Sequence, residues 1–300
     1  MTKRYFSILI LLGTMLLLLW QSGPAAAAVR EGLALCAHAV IPALFPFLVL
    51  SGLFLALGYG EALNPLLRPV MGRLFHADGL AGGVFFLGIL GGYPVGARMI
   101  GQLYREGRCG RQEAEYLLSF CNNAGPAFVL GMVGLGRFGD LRPGLYLYGL
   151  HVFSAILVGI LLRPKEKPSA RSLPAPPPPR SFAPALIGAV QSAFSGILQV
   201  CGFVIFSLVI LQLLTLFLPW QHPLLTGFVE LTCGILQLTG DQQGFLLAAI
   251  LLGWGGLSVL GQTAAMLADT DLSLRPYLRG KILQAVFSFL LALPVSFFLP

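Results

Sequence analysis

Charge is what this 300-residue chain has least of: 10% of its residues are charged, against about 25% in soluble domains. With 56% hydrophobic residues and a mean hydropathy of +0.83, it cannot cover its own surface with polar groups. That excludes an ordinary soluble domain and places the chain in a bilayer. Cysteine is also scarce. Cys36, Cys109, Cys121, Cys201 and Cys233 form no C-x-x-C pair and no Cys/His spacing, which excludes a zinc site and a disulfide framework. The four histidines are equally dispersed, so no metal ligand set can be assembled. H-E-x-x-H, a Walker loop and a Ser/His/Asp set are missing, and the chain is read as a non-enzyme without a cofactor. The net charge of +7 does not point to nucleic acid, because the basic residues sit in short loops between apolar runs. That is the pattern of cytoplasmic loops facing anionic lipid.

What is present is one apolar run after another. Residues 5–20 follow Lys3 and Arg4 and read as part of a retained N-terminal signal anchor over 1–28, with a cleaved signal peptide as the alternative. Residues 33–58 carry no formal charge and are long enough to span, with Pro42 and Pro46 expected to kink them. Shorter or interrupted runs follow at 64–76, 80–97, 116–136 and 143–162. A basic, proline-rich linker over 163–183, containing "RPKEKPSARSLPAPPPPRS", then divides the chain and belongs in the cytoplasm. Beyond it, residues 181–229 are uncharged, residues 242–268 form another run, and 282–300 read as the last span, with Arg275, Arg279 and Lys281 before it.

Three of these runs are broken in the middle. "GGYP" (Gly91, Gly92, Tyr93, Pro94) interrupts the first, "NNAGP" (122–126) the second and "GWGG" (253–256) the third. Laying "FFLGILGGYPVGARMI" on "AILLGWGGLSVLGQTAAML" pairs Gly91-Gly92 with Gly255-Gly256, and "PVMGRLF" parallels "ELTCGIL". The fold expected is all-α and polytopic, with two repeats over 29–162 and 184–300 inverted relative to each other. A backbone break in hydrocarbon costs several kcal/mol per unsatisfied group, so paired breaks point to a midplane cavity; simple kinks for packing are the alternative. An inverted second half would place Arg275, Arg279 and Lys281 outside, against the positive-inside bias.

The candidate site residues follow from the breaks. Asn122 and Asn123, with Gly125 beside them, are amides in an apolar run and serve either a polar solute or the binding of helix to helix. Glu230 is a lone acid in "LLTGFVELTCGILQL". At a helix centre it costs roughly 2.5–3.5 kcal/mol, which suits a proton or cation site, a pairing with Arg98, or a place near the interface. Thr232, Ser258 and Gln262, with Thr263, are the polar groups near the second-half break; hydroxyls there also satisfy their own helix.

The blocks "IPALFPFLVLSGLF", "GGYPVGARMIGQLYREG", "AEYLLSFCNNAGPAFVLGMVG" and "ELTCG" occur in an order that resembles the nucleoside-recognition, or gate, domain membrane proteins. Within that group the chain is similar to the sporulation integral membrane protein family, from about residue 24 to the end. The resemblance implies a multi-pass protein of the bacterial inner membrane needed for spore formation. It also implies gate-like repeats akin to those of concentrative nucleoside transporters and ferrous-iron permeases. Its implied partners are the lipid bilayer, a small polar solute or ion, and either further copies of the chain or other sporulation membrane proteins. It does not imply that nucleosides are the solute. Where the family has Thr-Asn-Gly after the acid, this chain has Thr232-Cys233-Gly234. Transport or gating of the solute is the leading expectation, and a non-transporting scaffold is the alternative.

Overall fold

The computed structural model describes residues 2–165, 181–217 and 222–298. Residues 166–180 of the expected linker lie outside them. Among the described residues every regular element is a helix. In hydrocarbon only helices and closed barrels satisfy their own backbone.

Helix α1 (Thr2–Trp20) leads into α2 (Ser22–Leu35), so the expected boundary at residue 28 falls inside α2. One π turn at Cys36–Val40 joins α2 to α3 (Ile41–Ala56). The result is a single apolar helix of 35 residues, Ser22–Ala56, roughly 50 Å long and more than a bilayer core needs. Pro42 and Pro46 supply no N–H donor; a π turn shifts the ladder just before Pro42, and Pro46 sits inside α3. Helix α4 (Tyr59–Val70) and a second π turn (Met71–Phe75) meet α5 (Gly79–Gly91) at a bend of 93°. Then come α6 (Val95–Arg105), α7 (Arg111–Cys121), a π-helical segment (Ala127–Phe138) and α8 (Leu141–Leu161). The second half holds α9 (Phe182–Leu214), α10 (Pro223–Val229), α11 (Leu231–Leu236), α12 (Gln242–Trp254), α13 (Gly256–Met266) and α14 (Arg275–Ser296).

Among the described residues five helices are long and apolar enough to cross a membrane: Ser22–Ala56, Leu141–Leu161, Phe182–Leu214, Gln242–Met266 and Arg275–Ser296. The chain is a polytopic membrane protein. Phe194, Leu198 and Phe206 of α9 stand exposed, as apolar side chains facing a bilayer would. The last span begins at Arg275, seven residues before the expected start, so Lys281 lies inside it and not in a preceding loop.

The interrupted helices are of two kinds. Helices α5 and α6 fold back on each other at Gly92–Pro94, and a Cβ on Gly88 would lie 3.5 Å from the Gly96 Cα. Helices α10 and α11 do the same at Glu230, where a Cβ on Gly234 would lie 2.2 Å from the Gly227 Cα. The other two breaks continue onward. Helix α7 passes through residues 122–126 into the π-helical segment, and α12 passes through Gly255 into α13 within one 25-residue span. The long helices run antiparallel: Gly32 lies on Ile205, Cys36 on Cys201 and Gly52 on Ala189. Each half therefore runs long helix, hairpin, broken span, final helix. The sequence match of Gly91-Gly92 with Gly255-Gly256 pairs a hairpin tip with a broken span. Both places need glycine at positive φ, so local likeness misaligned them.

The basic loops gather at one end. Tyr104 Oη donates to Asp271 at 2.5 Å, Arg105 pairs with Asp269 at 2.8 Å, Arg111 with Asp271 at 3.2 Å, and the Ser273 N–H donates to Glu115 at 2.9 Å. His76 Nδ1 meets the Pro164 carbonyl at 2.8 Å at this same end. Arg275 therefore shares an end with Arg105, Arg108 and Arg111, and the conflict with the positive-inside bias disappears. The Tyr104 hydroxyl, and then Arg111, hold the Asp271 carboxyl below its ordinary value. This join is complete at neutral pH and is lost as pH falls through the folded-state value.

The arginine-rich end is expected to face the cytoplasm. In intact cells a membrane-impermeant maleimide should label Asp140→Cys, whereas Glu106→Cys and Asp269→Cys should react only after permeabilisation. The reverse pattern would turn the topology over.

Candidate functional site

All four breaks meet in the centre of the bundle. Gly92 and Gly125 touch backbone to backbone, a Cβ on either lying 2.9 Å from the other's nitrogen. Gly256 packs on the Glu230 break, where a Cβ would lie 3.1 Å from the Leu231 nitrogen. Tyr93 joins the two crossings. Its hydroxyl would stand 3.1 Å from a Cβ on Gly255, and it donates to the Leu252 carbonyl at 3.3 Å.

Each half-helix leaves orphan N–H and C=O groups at the break, and the polar residues of the break answer them. Asn122 Oδ1 accepts from the Ala97 N–H in the first turn of α6 at 3.3 Å, while its Nδ2 donates to Thr263 of α13 at 2.9 Å. Asn123 Nδ2 donates to the Phe120 carbonyl at the end of α7 at 2.7 Å, and its Oδ1 accepts from Gln284 of α14 at 3.0 Å. The Ala124 N–H donates to His151 Nε2 at 3.0 Å. Glu230, 2% exposed, caps α11 by accepting from the Cys233 N–H at 2.8 Å. Arg98 donates to Ser192 and not to Glu230, so the pairing considered from sequence is not formed. The network ends on Lys281, 1% exposed, which donates to Gln284 at 2.6 Å and to Tyr93 at 3.2 Å. Its ammonium also lies 5.0 Å from the Tyr93 ring centre and 5.8 Å from that of Tyr277.

A central cavity of about 60 Å³ lies among the breaks, with Tyr93, Gly125, Glu230, Thr232 and Gln262 in its wall. That is room for a few waters. Two larger cavities flank it. One of about 230 Å³ opens at the arginine-rich end and one of about 460 Å³ at the opposite end. All three lie along α9, the first beside residues 185–192, the central one beside Val200 and Val204, and the third beside Leu208–Thr215. Leu48 closes the interval on the arginine-rich side, with its side chain toward Gly196. Gly32 on Ile205 closes the other.

Of the candidate residues, Tyr93, Gly125, Glu230, Thr232 and Gln262 therefore border one space. Asn122 and Asn123 do not line it; they bind helix to helix. Gly91, Gly92 and Pro94 shape the hairpin tip, and Ser258 accepts from Gln262 at 3.3 Å. Sequence reasoning missed Lys281, Gln284 and Ser288. The signal was available: with Tyr277 they recur at helical spacing on one face of α14, a polar stripe in an apolar helix.

Among known proteins, the chain is 32% identical to the sporulation integral membrane protein YlbJ of Bacillus subtilis, over 87% of this chain and 75% of that one. No family model matches it, and no solved structure does.

The crossings set a hard steric limit. A Cβ on Gly96 would lie 2.2 Å from the Cys121 carbonyl oxygen, whereas Gly149 faces open space. Gly96→Ala should fail to accumulate in membranes, and Gly149→Ala should accumulate normally. Asn122→Ala should destabilise by about 1–3 kcal/mol, read as a lower melting temperature in detergent. Adding Thr263→Val should then cost little more. Strict additivity would show that the two side chains are not coupled.

Proposed function

The chain belongs to the YlbJ family of sporulation integral membrane proteins, and we propose that it moves a small polar solute or ion across the membrane of a sporulating cell. The observation that carries this reading is the convergence of the helix breaks on a central cavity whose largely apolar wall carries Glu230, Tyr93, Thr232 and Gln262. Interrupted helices with a polar midplane site are a design that transporters use. The element order supports two inverted gate-like repeats, 22–161 and 182–296, with hairpin tips at 92–94 and 230 and broken spans at 122–126 and 255–256.

In this reading Glu230 is the group that takes a proton or a cation. Its carboxylate is buried at a hairpin tip in the cavity wall, where it accepts from the Cys233 N–H and is also held by Thr232. The flanking cavities along α9 serve as the two approaches, and closure at Leu48 and at Gly32 keeps them separate. The reading does not name nucleosides. A second reading, a scaffold within a sporulation membrane complex, draws on the amides of Asn122 and Asn123, both spent on holding helices together.

Proteoliposomes holding the protein should take up one member of a panel of nucleosides, dicarboxylates and divalent metals. Glu230→Gln keeps an acceptor for Cys233 but removes the charge, and it should reduce uptake at least about tenfold, the scale of losing one charged contact. In a strain lacking the native gene, Glu230→Gln and Gln262→Leu should insert at normal abundance yet fail to restore sporulation. Normal sporulation by both would favour the scaffold.

A further inference from the structure

The cavity at the arginine-rich end, one approach to the central site in the reading above, has a chemistry of its own that transport does not require. Helices α3, α6 and α9 form it. Its walls are small residues of α9, Ser51 and Gly52 of α3, and the polar face of α6, Arg98, Gln102 and Glu106. At about 230 Å³ it is far larger than the 10–15 Å³ that one water takes on the same measure.

Arg98 is the charge at its inner end. A guanidinium carries five N–H donors. Arg98 spends one nitrogen on the neutral hydroxyl of Ser192, and Nη1 reaches toward Gly196. Among the described residues no carboxylate lies within 4.0 Å of Arg98, and the charged group that acts on it is the like-charged Arg105. Glu106, the acid in the cavity wall, is engaged by neighbours in the same wall: it accepts from Gln102 at 2.9 Å and lies 3.8 Å from Arg108, so it does not neutralise Arg98. A part-buried cation without a counter-ion is costly, and the space beside it is large enough to hold one.

We propose that this cavity binds an anion, through a carboxylate or phosphate group seated on Arg98 beside Ser192. The planar fork of a guanidinium matches both groups. The Gln102 amide lines the approach. Such a group could belong to a free solute or to a lipid headgroup, since the cavity opens at the membrane end where the basic loops gather. The proposal stands apart from transport: the site fills whether or not anything crosses.

The test is equilibrium binding by calorimetry to the purified full-length protein in a neutral maltoside detergent. The probes are inorganic phosphate, succinate and dihexanoyl phosphatidylglycerol at constant ionic strength, with dihexanoyl phosphatidylcholine as the neutral control. At least one anionic probe should bind saturably. Arg98→Gln should weaken it at least about tenfold, and Arg98→Lys, which keeps the charge but loses the fork, should weaken it less. Gln102→Glu leaves Arg98 in place but puts a carboxylate across the cavity, and it too should weaken binding. Binding of phosphate or succinate identifies a free anion as the occupant; binding of the anionic lipid alone identifies a headgroup. No saturable binding by any of the three, or binding by Arg98→Gln and Gln102→Glu as tight as by the unaltered protein, overturns the proposal.

Discussion

A backbone group that loses its helical partner inside a bilayer has no water to turn to. That constraint organises the centre of this protein. Each of the four breaks exposes carbonyls and N–H groups, and each is covered by another break or by a side chain grown from one. Gly92 lies on Gly125 and Gly256 on Leu231, so the places where helices fail are the places where they touch. Small residues are required there because backbone approaches backbone. The polar residues follow from the same demand: Asn122 completes α6, Asn123 completes α7 and Glu230 completes α11.

The same network ties the halves of the chain together. Asn122 reaches Thr263, Asn123 reaches Gln284, and Tyr93 stands between Lys281 and Leu252. A buried amine with neutral partners is an unusual feature of a membrane interior. Here two aromatic rings and a glutamine oxygen surround it. Because these bonds cross between distant segments, loss of one partner leaves the other buried without a match.

The sequence showed the class of protein at once, because apolar runs and sparse charge have one physical solution. It also showed where three helices break, because Gly-Gly-Tyr-Pro, Asn-Asn-Ala-Gly-Pro and Gly-Trp-Gly-Gly carry the chemistry of interruption in themselves. The break at Glu230 was visible only as a misplaced acid, with no glycine or proline at the tip to announce a hairpin. Local likeness also set Gly91-Gly92 against Gly255-Gly256, although one is a hairpin tip and the other a point within a span. Sequence periodicity carries no information on which way the chain turns after a break. Lys281 was assigned to a loop because a charge ends an apolar run on paper. In the bundle its stem and ammonium turn inward, along a stripe shared with Gln284 and Ser288.

The account rests on the four interruptions facing one another around a small central cavity. The most direct measurement is an experimental density map of the protein in a lipid nanodisc. It should show Gly92 against Gly125, Gly256 against Leu231, and water or solute density between Glu230 and Gln262. Breaks that face acyl chains, or a centre closed and dry between those two side chains, would contradict it.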